Sequence, residues 1–324
     1  MSACGKTPET PRLLPGPRFA QESDSLLILS QLDIESGAPC IGAKSPCKAM
    51  RAGNTMLTCK LSKAMKAKVP GAVLTWAMPL RVHNNDAYDY KAIMDCGADF
   101  LTPMAYEQWQ GSKGSPSLKG PAYASPTVTS EQILQGVADY KKLGVPAQSL
   151  VMAMFWGGTE FMCNNTAGFW GVPGRPGCRL SDRMQSGGPE VGSGQTVQLL
   201  AQSLDATKWK YPPPAGFTGS KLDKTTQTKY FRVPGGATAQ NDEGCTHGCE
   251  PCAAPAKAGG VMAPFMVNPN YNWTEIWFDD GSTIGKKYKT VEKAGCRGLA
   301  FWTAGATQHD PAVISDMWGA VKPW

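Results

Sequence analysis

The chain has 324 residues, 42% of them hydrophobic, and a formal net charge of +6. That is enough apolar content for a sizeable core in one large domain or two smaller ones. No window of about 18 continuous apolar residues occurs, which argues against a membrane-spanning helix. The basic residues are scattered without interleaved aromatics, which argues against nucleic-acid binding.

Eleven cysteines are many for a reducing compartment. Asn164-Asn165-Thr166 and Asn272-Trp273-Thr274 are acceptor sequons for N-glycosylation. Together they point to a lysosomal or secreted protein. Residues 1–19 contain no apolar h-region and do not read as a signal peptide. A natural N-terminus lying outside this sequence would reconcile the two observations.

Residues 1–25 are rich in Pro, Gly and charge and are expected to be disordered. Leu26–Glu35, LLILSQLDIE, is a short apolar run that suits a buried parallel strand. On a strand the side-chain period is two, so Gln31, Asp33 and Glu35 point to one side. Two carboxyls on one face repel each other, and burial adds to the cost. One pKa is then expected to rise, as a general acid working near neutral pH requires. The plainer reading is that Asp33 and Glu35 cap the following loop.

A helical pattern follows from about Asn54 to Lys68, stopped by Pro70-Gly71. Ala72–Met78 reads as a second strand. Asp89–Cys96 reads as a short helix with Gly97 at its C-terminal end. Asp99–Tyr106, DFLTPMAY, is a third strand, with Glu107 next. After a long Gly-, Ser- and Pro-rich loop, Ser130 is expected to cap a helix closed by Gly144. Ser149–Gly157, SLVMAMFWG, is a fourth strand. A helix is expected near Gln195–Leu204, and an irregular Cys-rich insertion at about 207–275. Ser282–Ala294 is a helix, Gly298–Gly305 a fifth strand, and Pro311–Ala320 a last helix. The lysines of 60–68 and 286–293 fall at helical spacing and read as solvated faces. Alternation of this kind implies parallel strands with helices outside, and function at the strand C-termini.

Five blocks then resemble one family in order and with suitable gaps. They are LSQLDIE, DFLTPMAYE, SLVMAMFWGGTEFMC, GVPGRPGCRLSDRMQ and WFDDGSTIGKKYKTVEKAGCRGLAFW. They resemble glycoside hydrolase family 18, and within it the chitobiase branch. The likeness covers roughly residues 26–320. It implies an α/β fold, a (β/α)8 TIM-type barrel, of which this chain would supply strands four to eight, with strands one to three missing or unrecognisable. Residues 26–324 would form one glycosidase-like domain.

The implied reaction is retaining hydrolysis of β-1,4-linked N-acetylglucosamine, assisted by the substrate's own acetamido group, an exception to the two-carboxylate scheme. By the resemblance, Glu35 is the general acid and base. Asp33 orients the acetamido group, and Tyr106 holds its carbonyl oxygen. Trp302 is the aromatic floor beneath the sugar. Met104, Glu107, Gln31 and Trp156 line the same pocket. The sequence departs from the family pattern at Ile28 and Gln31, where the family carries Asp, and at Glu107, one methylene longer than the family's Asp. The expected partner is a chitooligosaccharide or an N-glycan-derived oligosaccharide, bound by a monomer without cofactor or metal. A catalytically inactive chitinase-like carbohydrate-binding protein is the alternative.

Cys245, Cys249 and Cys252, with His247 between them, have near-zinc spacing. Their Gly-, Ala- and Pro-rich surroundings favour a disulfide-stapled loop. Cys163 and Cys178 bracket a short loop and are the expected disulfide. Only His83, His247 and His309 are available as histidines, and none forms a Cys-His or Ser-His nucleophile pattern.

Overall fold

A computed structural model of the chain describes residues 29–34, 46–82, 87–106, 108, 126–155, 158–163, 190–191, 220–234, 237–239, 265–267, 273–302 and 311–322. Five strands form a parallel sheet: β1 (Leu29–Leu32), β2 (Val73–Pro79), β3 (Phe100–Met104), β4 (Val151–Phe155) and β12 (Gly298–Trp302), in the order β1-β2-β3-β4-β12. Helices alternate with them: α1 (Pro46–Lys68), α2 (Tyr90–Asp95), α3 (Ser130–Lys142), α4 (Gly281–Lys293) and α5 (Pro311–Gly319).

The period of two along each strand decides what the helices cover. Trp76, Met78, Leu101, Met152 and Met154 enter a core built with Ile93 of α2, Ile133, Val137 and Tyr140 of α3, Ile284 and Val291 of α4, and Val313 and Met317 of α5. Leu32, Ile34, Leu299 and Phe301 pack on the same core from the two edge strands. Residues of the other parity face the opposite side. There the hydroxyls of Thr75 and Thr102 meet at 3.0 Å, both buried.

Helix ends follow local chemistry. Asp89 caps α2, accepting from the Ala92 N–H at 3.0 Å. The cap of α3 is Thr129 rather than Ser130. Gln132 lies three residues after Thr129, and its Oε1 accepts from the Thr129 N–H, closing a capping box that Ser130, with Ile133 at that offset, could not make. Helix α1 starts eight residues before Asn54, at Pro46, a residue suited to a first helical turn; Gly53 is tolerated inside.

The stretch expected to be irregular at 207–275 carries strands. An antiparallel sheet runs β6-β5-β11-β8-β7, from β5 (Gly158–Cys163), β6 (Glu190–Val191), β7 (Lys221–Asp223), β8 (Thr228–Pro234) and β11 (Trp273–Phe278). A further pair joins β9 (Ala237–Ala239) to β10 (Phe265–Val267). The β7–β8 hairpin is set by Asp223, whose carboxylate accepts from the N–H groups of Thr225 and Thr226, while Gln227 takes φ +56°. These strands are short, and β5 and β11 pair across a long stretch of chain, so local pattern does not announce them.

The insertion is tied to α4 by the Lys229–Asp280 ion pair and by Lys286 Nζ donating to Gln227 Oε1 at 2.6 Å. The expected solvated lysine face of 286–293 is therefore only partly so. Lys287 is 0% exposed and ion-pairs with Asp279 at 2.5 Å.

A disulfide joins Cys59 of α1 to Cys96, at the end of α2, with Cα atoms 4.5 Å apart. The expected pairing of Cys163 with Cys178 is a different one, and Cys178 lies outside the described residues. Beside the disulfide, Gly97 takes φ +100°, and its carbonyl accepts from Ser62 Oγ and Lys66 Nζ, both at 2.9 Å. Cys296 is a free thiol, and burial pushes its pKa up to about 11.

Candidate active site

All five sheet strands run parallel, so their C-terminal ends lie at one end of the sheet. Register then assigns faces. Gln31 pairs with Thr75, Ala77 with Thr102, Met104 with Ala153, and Trp302 with Phe155. Laterally paired residues of parallel strands point the same way. Gln31, Thr75, Ala77, Thr102, Met104, Ala153, Phe155 and Trp302 thus share the face turned away from the helix core. Asp33 follows Gln31 at the same parity.

Gln31 and Asp33 are exposed, Met104 is half-buried, and Trp302 is 57% exposed. Tyr106 is half-buried, with its ring tilted against Phe155 at 6.1 Å between centroids. The exposure of Asp33 departs from the burial expected for the carboxylate pair. Its strand lies at the sheet edge and has a described neighbour only on the β2 side.

The chain around Tyr106 is anchored on both sides. The Ala105 N–H donates to the Ala153 carbonyl at 2.7 Å, continuing the β3–β4 ladder one residue past β3. Gln108 Nε2 donates to the Tyr106 carbonyl at 2.8 Å, and the Gln108 N–H donates to the Thr127 carbonyl at 2.7 Å. Gln132 of the α3 capping box donates to the Gln108 carbonyl at 2.6 Å. One side chain therefore caps α3 and fixes the loop that carries Tyr106.

Asp33 and Trp302 stand on the two edge strands of the described parallel sheet. Tyr106 lies between them, beyond the central strand β3. Among the described residues, no group of three or more His, Cys, Asp or Glu could hold a metal ion. Glu35, Glu107 and Trp156 lie outside the described residues, as do Ile28, the three histidines and Cys245, Cys249 and Cys252. Phe155 is a site residue absent from the sequence-based expectations, although the alternation of VMAMF puts it on the face of Val151 and Ala153.

A model of the glycosyl hydrolases family 18 matches residues 48–306. The chain belongs to glycosyl hydrolases family 18. The matched span of this family 18 chain includes Met104, Tyr106 and Trp302 and begins after β1, so it leaves Gln31, Asp33 and Glu35 outside. Mouse di-N-acetylchitobiase is 21% identical over 282 residues, which cover 83% of this chain and 61% of that protein. Human di-N-acetylchitobiase is 19% identical over 304 residues, 90% of this chain and 63% of that protein. The family 18 chain thus spans about three fifths of the length of these curated relatives.

Among solved structures, a family 18 N-acetylglucosaminidase from Paenibacillus barengoltzii matches with a TM-score of 0.54 at 16% identity, over 90% of this chain and 70% of that one. A chitinase from Chromobacterium violaceum matches with a TM-score of 0.50 at 15% identity, over 90% of this chain and 64% of that one. At such identities the likeness shows the fold alone. That fold is of the α/β TIM type, represented here by the five-stranded parallel sheet with its outer helices.

Proposed function

We propose that this family 18 chain hydrolyses β-1,4 linkages of N-acetylglucosamine in chitooligosaccharides or in chitobiose-containing N-glycan fragments, by the substrate-assisted retaining route. The observation that carries the reading is the placement of Asp33, Tyr106 and Trp302 on one face, toward the C-terminal ends of one parallel sheet, in a family 18 chain. Barrels of this type work at that end.

In the proposed mechanism Glu35 gives its proton to the glycosidic oxygen as the bond to C1 breaks. The acetamido carbonyl oxygen of the same sugar attacks C1 and forms a cyclic oxazolinium. Asp33 accepts a hydrogen bond from the acetamido N–H and offsets the positive charge. The Tyr106 hydroxyl donates to the carbonyl oxygen and holds it below C1. Glu35, now a carboxylate, takes a proton from water as the water attacks C1; the C1–O bond of the oxazolinium breaks, the acetamide is restored, and the β configuration returns. Trp302 supplies an apolar surface for the C–H side of the pyranose, beside Phe155. Met104, Gln31, Glu107 and Trp156 line the pocket, and no cofactor or metal takes part. The protein works as a monomer, and residues 26–324 act as one catalytic domain.

The Cys59–Cys96 disulfide, together with the sequons, supports a lysosomal or secreted location.

A second reading, binding without turnover, draws on the exposure of Asp33, since hydration weakens any carboxylate's hold on a charge. One experiment separates the two. Release of N-acetylglucosamine from chitotriose is followed for the protein and for Glu35→Gln, beside a calorimetric titration with the same sugar. The hydrolase reading expects turnover that falls by about a hundredfold or more in the variant, the usual contribution of a positioned general acid. Binding without product would select the second reading, and unchanged turnover by Glu35→Gln would remove that residue from the mechanism.

A further inference from the structure

Beyond the predicted pocket, one buried hydroxyl reaches the backbone between the two proposed catalytic carboxylates. Tyr88 lies in the loop between β2 and α2 and is 5% exposed. Its Oη donates to the carbonyl of Ile34, the residue flanked by Asp33 and Glu35. The β1–β2 ladder has its last pair at Leu32 and Trp76. The Ile34 carbonyl is therefore past the end of this ladder, where the tyrosine hydroxyl bonds to it.

Tyr88 is itself held from several sides. Its ring meets Trp76 edge-on at 6.0 Å and Tyr90 at 5.8 Å, and Tyr90 meets Tyr140 at 5.3 Å. The carbonyl of Ala87 accepts from Asn54 Nδ2 of α1 at 3.0 Å. Trp76 in turn donates through Nε1 to Thr58 Oγ1 at 3.0 Å, and Thr58 Oγ1 donates to the Asn54 carbonyl at 2.8 Å. The network ties α1, β2 and the Tyr88 loop to the end of β1.

We infer that Tyr88 is a positioning residue, whose hydroxyl fixes the backbone at Ile34 and so aims the adjoining Asp33 at the substrate. The inference rests on the proposed function for its catalytic consequence. Misplacing a catalytic group by about 1 Å can cost a hundredfold in rate, whereas a neutral buried hydrogen bond contributes only about 1 kcal/mol to folding. Turnover is thus more sensitive to this bond than stability is.

The fold provides a matched control. Tyr140 Oη donates to the Pro79 carbonyl at 2.7 Å, another buried tyrosine bonded to a carbonyl at a strand end, but on β2. Tyr88→Phe and Tyr140→Phe each remove one hydroxyl and keep the ring. The test measures three quantities in both variants and the parent: amide hydrogen exchange of the peptide spanning 29–35, kcat and KM on chitotriose, and the thermal midpoint. Glu35→Gln is run beside them. The expected result is similar small losses of thermal midpoint in both variants. Only Tyr88→Phe then shows faster exchange at 29–35 and about a tenfold or greater fall in kcat with KM little changed. Unchanged exchange at 29–35 in Tyr88→Phe overturns the inference, and so does an equal fall of kcat in both variants. Faster exchange with kcat intact overturns the catalytic part. If Glu35→Gln retains full turnover, the proposed function fails instead, and the exchange measurement still decides whether Tyr88 holds this segment.

Discussion

Trp302 shows what a single residue contributes at the end of a strand. It ends GLAFW at a sheet edge, 57% exposed, while Phe301, one residue earlier, packs edge-on against Trp318 at 5.3 Å. Phe301 therefore belongs to the core and Trp302 to the ligand side. A ring left in water at a strand end gains by covering apolar ligand surface, about 1–2 kcal/mol at the usual area coefficient. Trp302→Ala is expected to raise KM for chitotriose about five- to thirtyfold with little loss of thermal midpoint, measured by steady-state kinetics and calorimetry. A collapse of the fold with unchanged KM in the surviving fraction would assign Trp302 to packing. Alternation puts Gln31 and Asp33 on one face, and that part was legible in the sequence; that Met104 and Trp302 share it comes from the strand register. The exposure of Asp33 was not legible, because it depends on which strands flank β1.

At the scale of elements, α4 joins the insertion to the layer of helices on the parallel sheet, and Asp280 is where the two meet. Burial alone would raise the pKa of this carboxyl, but hydrogen bonds from Lys229 and Ser282, the charge of Lys229 and the Thr283 N–H outweigh it. The net shift is below the ordinary 3.8. A carboxyl lowered by folding stabilises the fold fully above its unfolded pKa and loses that contribution as pH falls through the folded value. Asp280→Asn keeps a capping side chain and removes the charge. Thermal midpoints of the two proteins should therefore differ at pH 6 and converge as pH is lowered toward and below 3. A gap that stays constant with pH would mean that the charge is immaterial. The disulfide is a second device at this scale. It closes a sequence separation of 37 residues across α1 and α2, which by chain entropy stabilises the fold by about 4 kcal/mol. The double variant Cys59→Ser/Cys96→Ser should lose about 2–4 kcal/mol in urea unfolding, with no shift in KM. The stop signals Pro70-Gly71 and Gly144 made the ends of α1 and α3 legible; the start of α1 and the cap of α3 were not, and the helix expected at Gln195–Leu204 lies outside the described residues. The insertion strands and this disulfide were not legible either, since both depend on contacts far apart in the chain.

For the whole molecule, the alternation of five strands with helices was enough to expect a parallel sheet working at one end, and family membership gives that sheet its place in a TIM-type fold. The buried core lies on the helix side, whereas polar and aromatic groups gather at the strand C-termini on the other side. Sequence patterning reaches that division because strand period and helix amphipathicity are local. It does not reach the contact between Tyr88 and Ile34, which comes from residues 54 apart in the sequence. The division leaves the sugar's own acetamide as the proposed nucleophile. The most direct measurement is the anomeric configuration of the first N-acetylglucosamine-terminated product formed from chitotriose, followed by proton NMR before mutarotation. The account predicts the β anomer; the α anomer would contradict it.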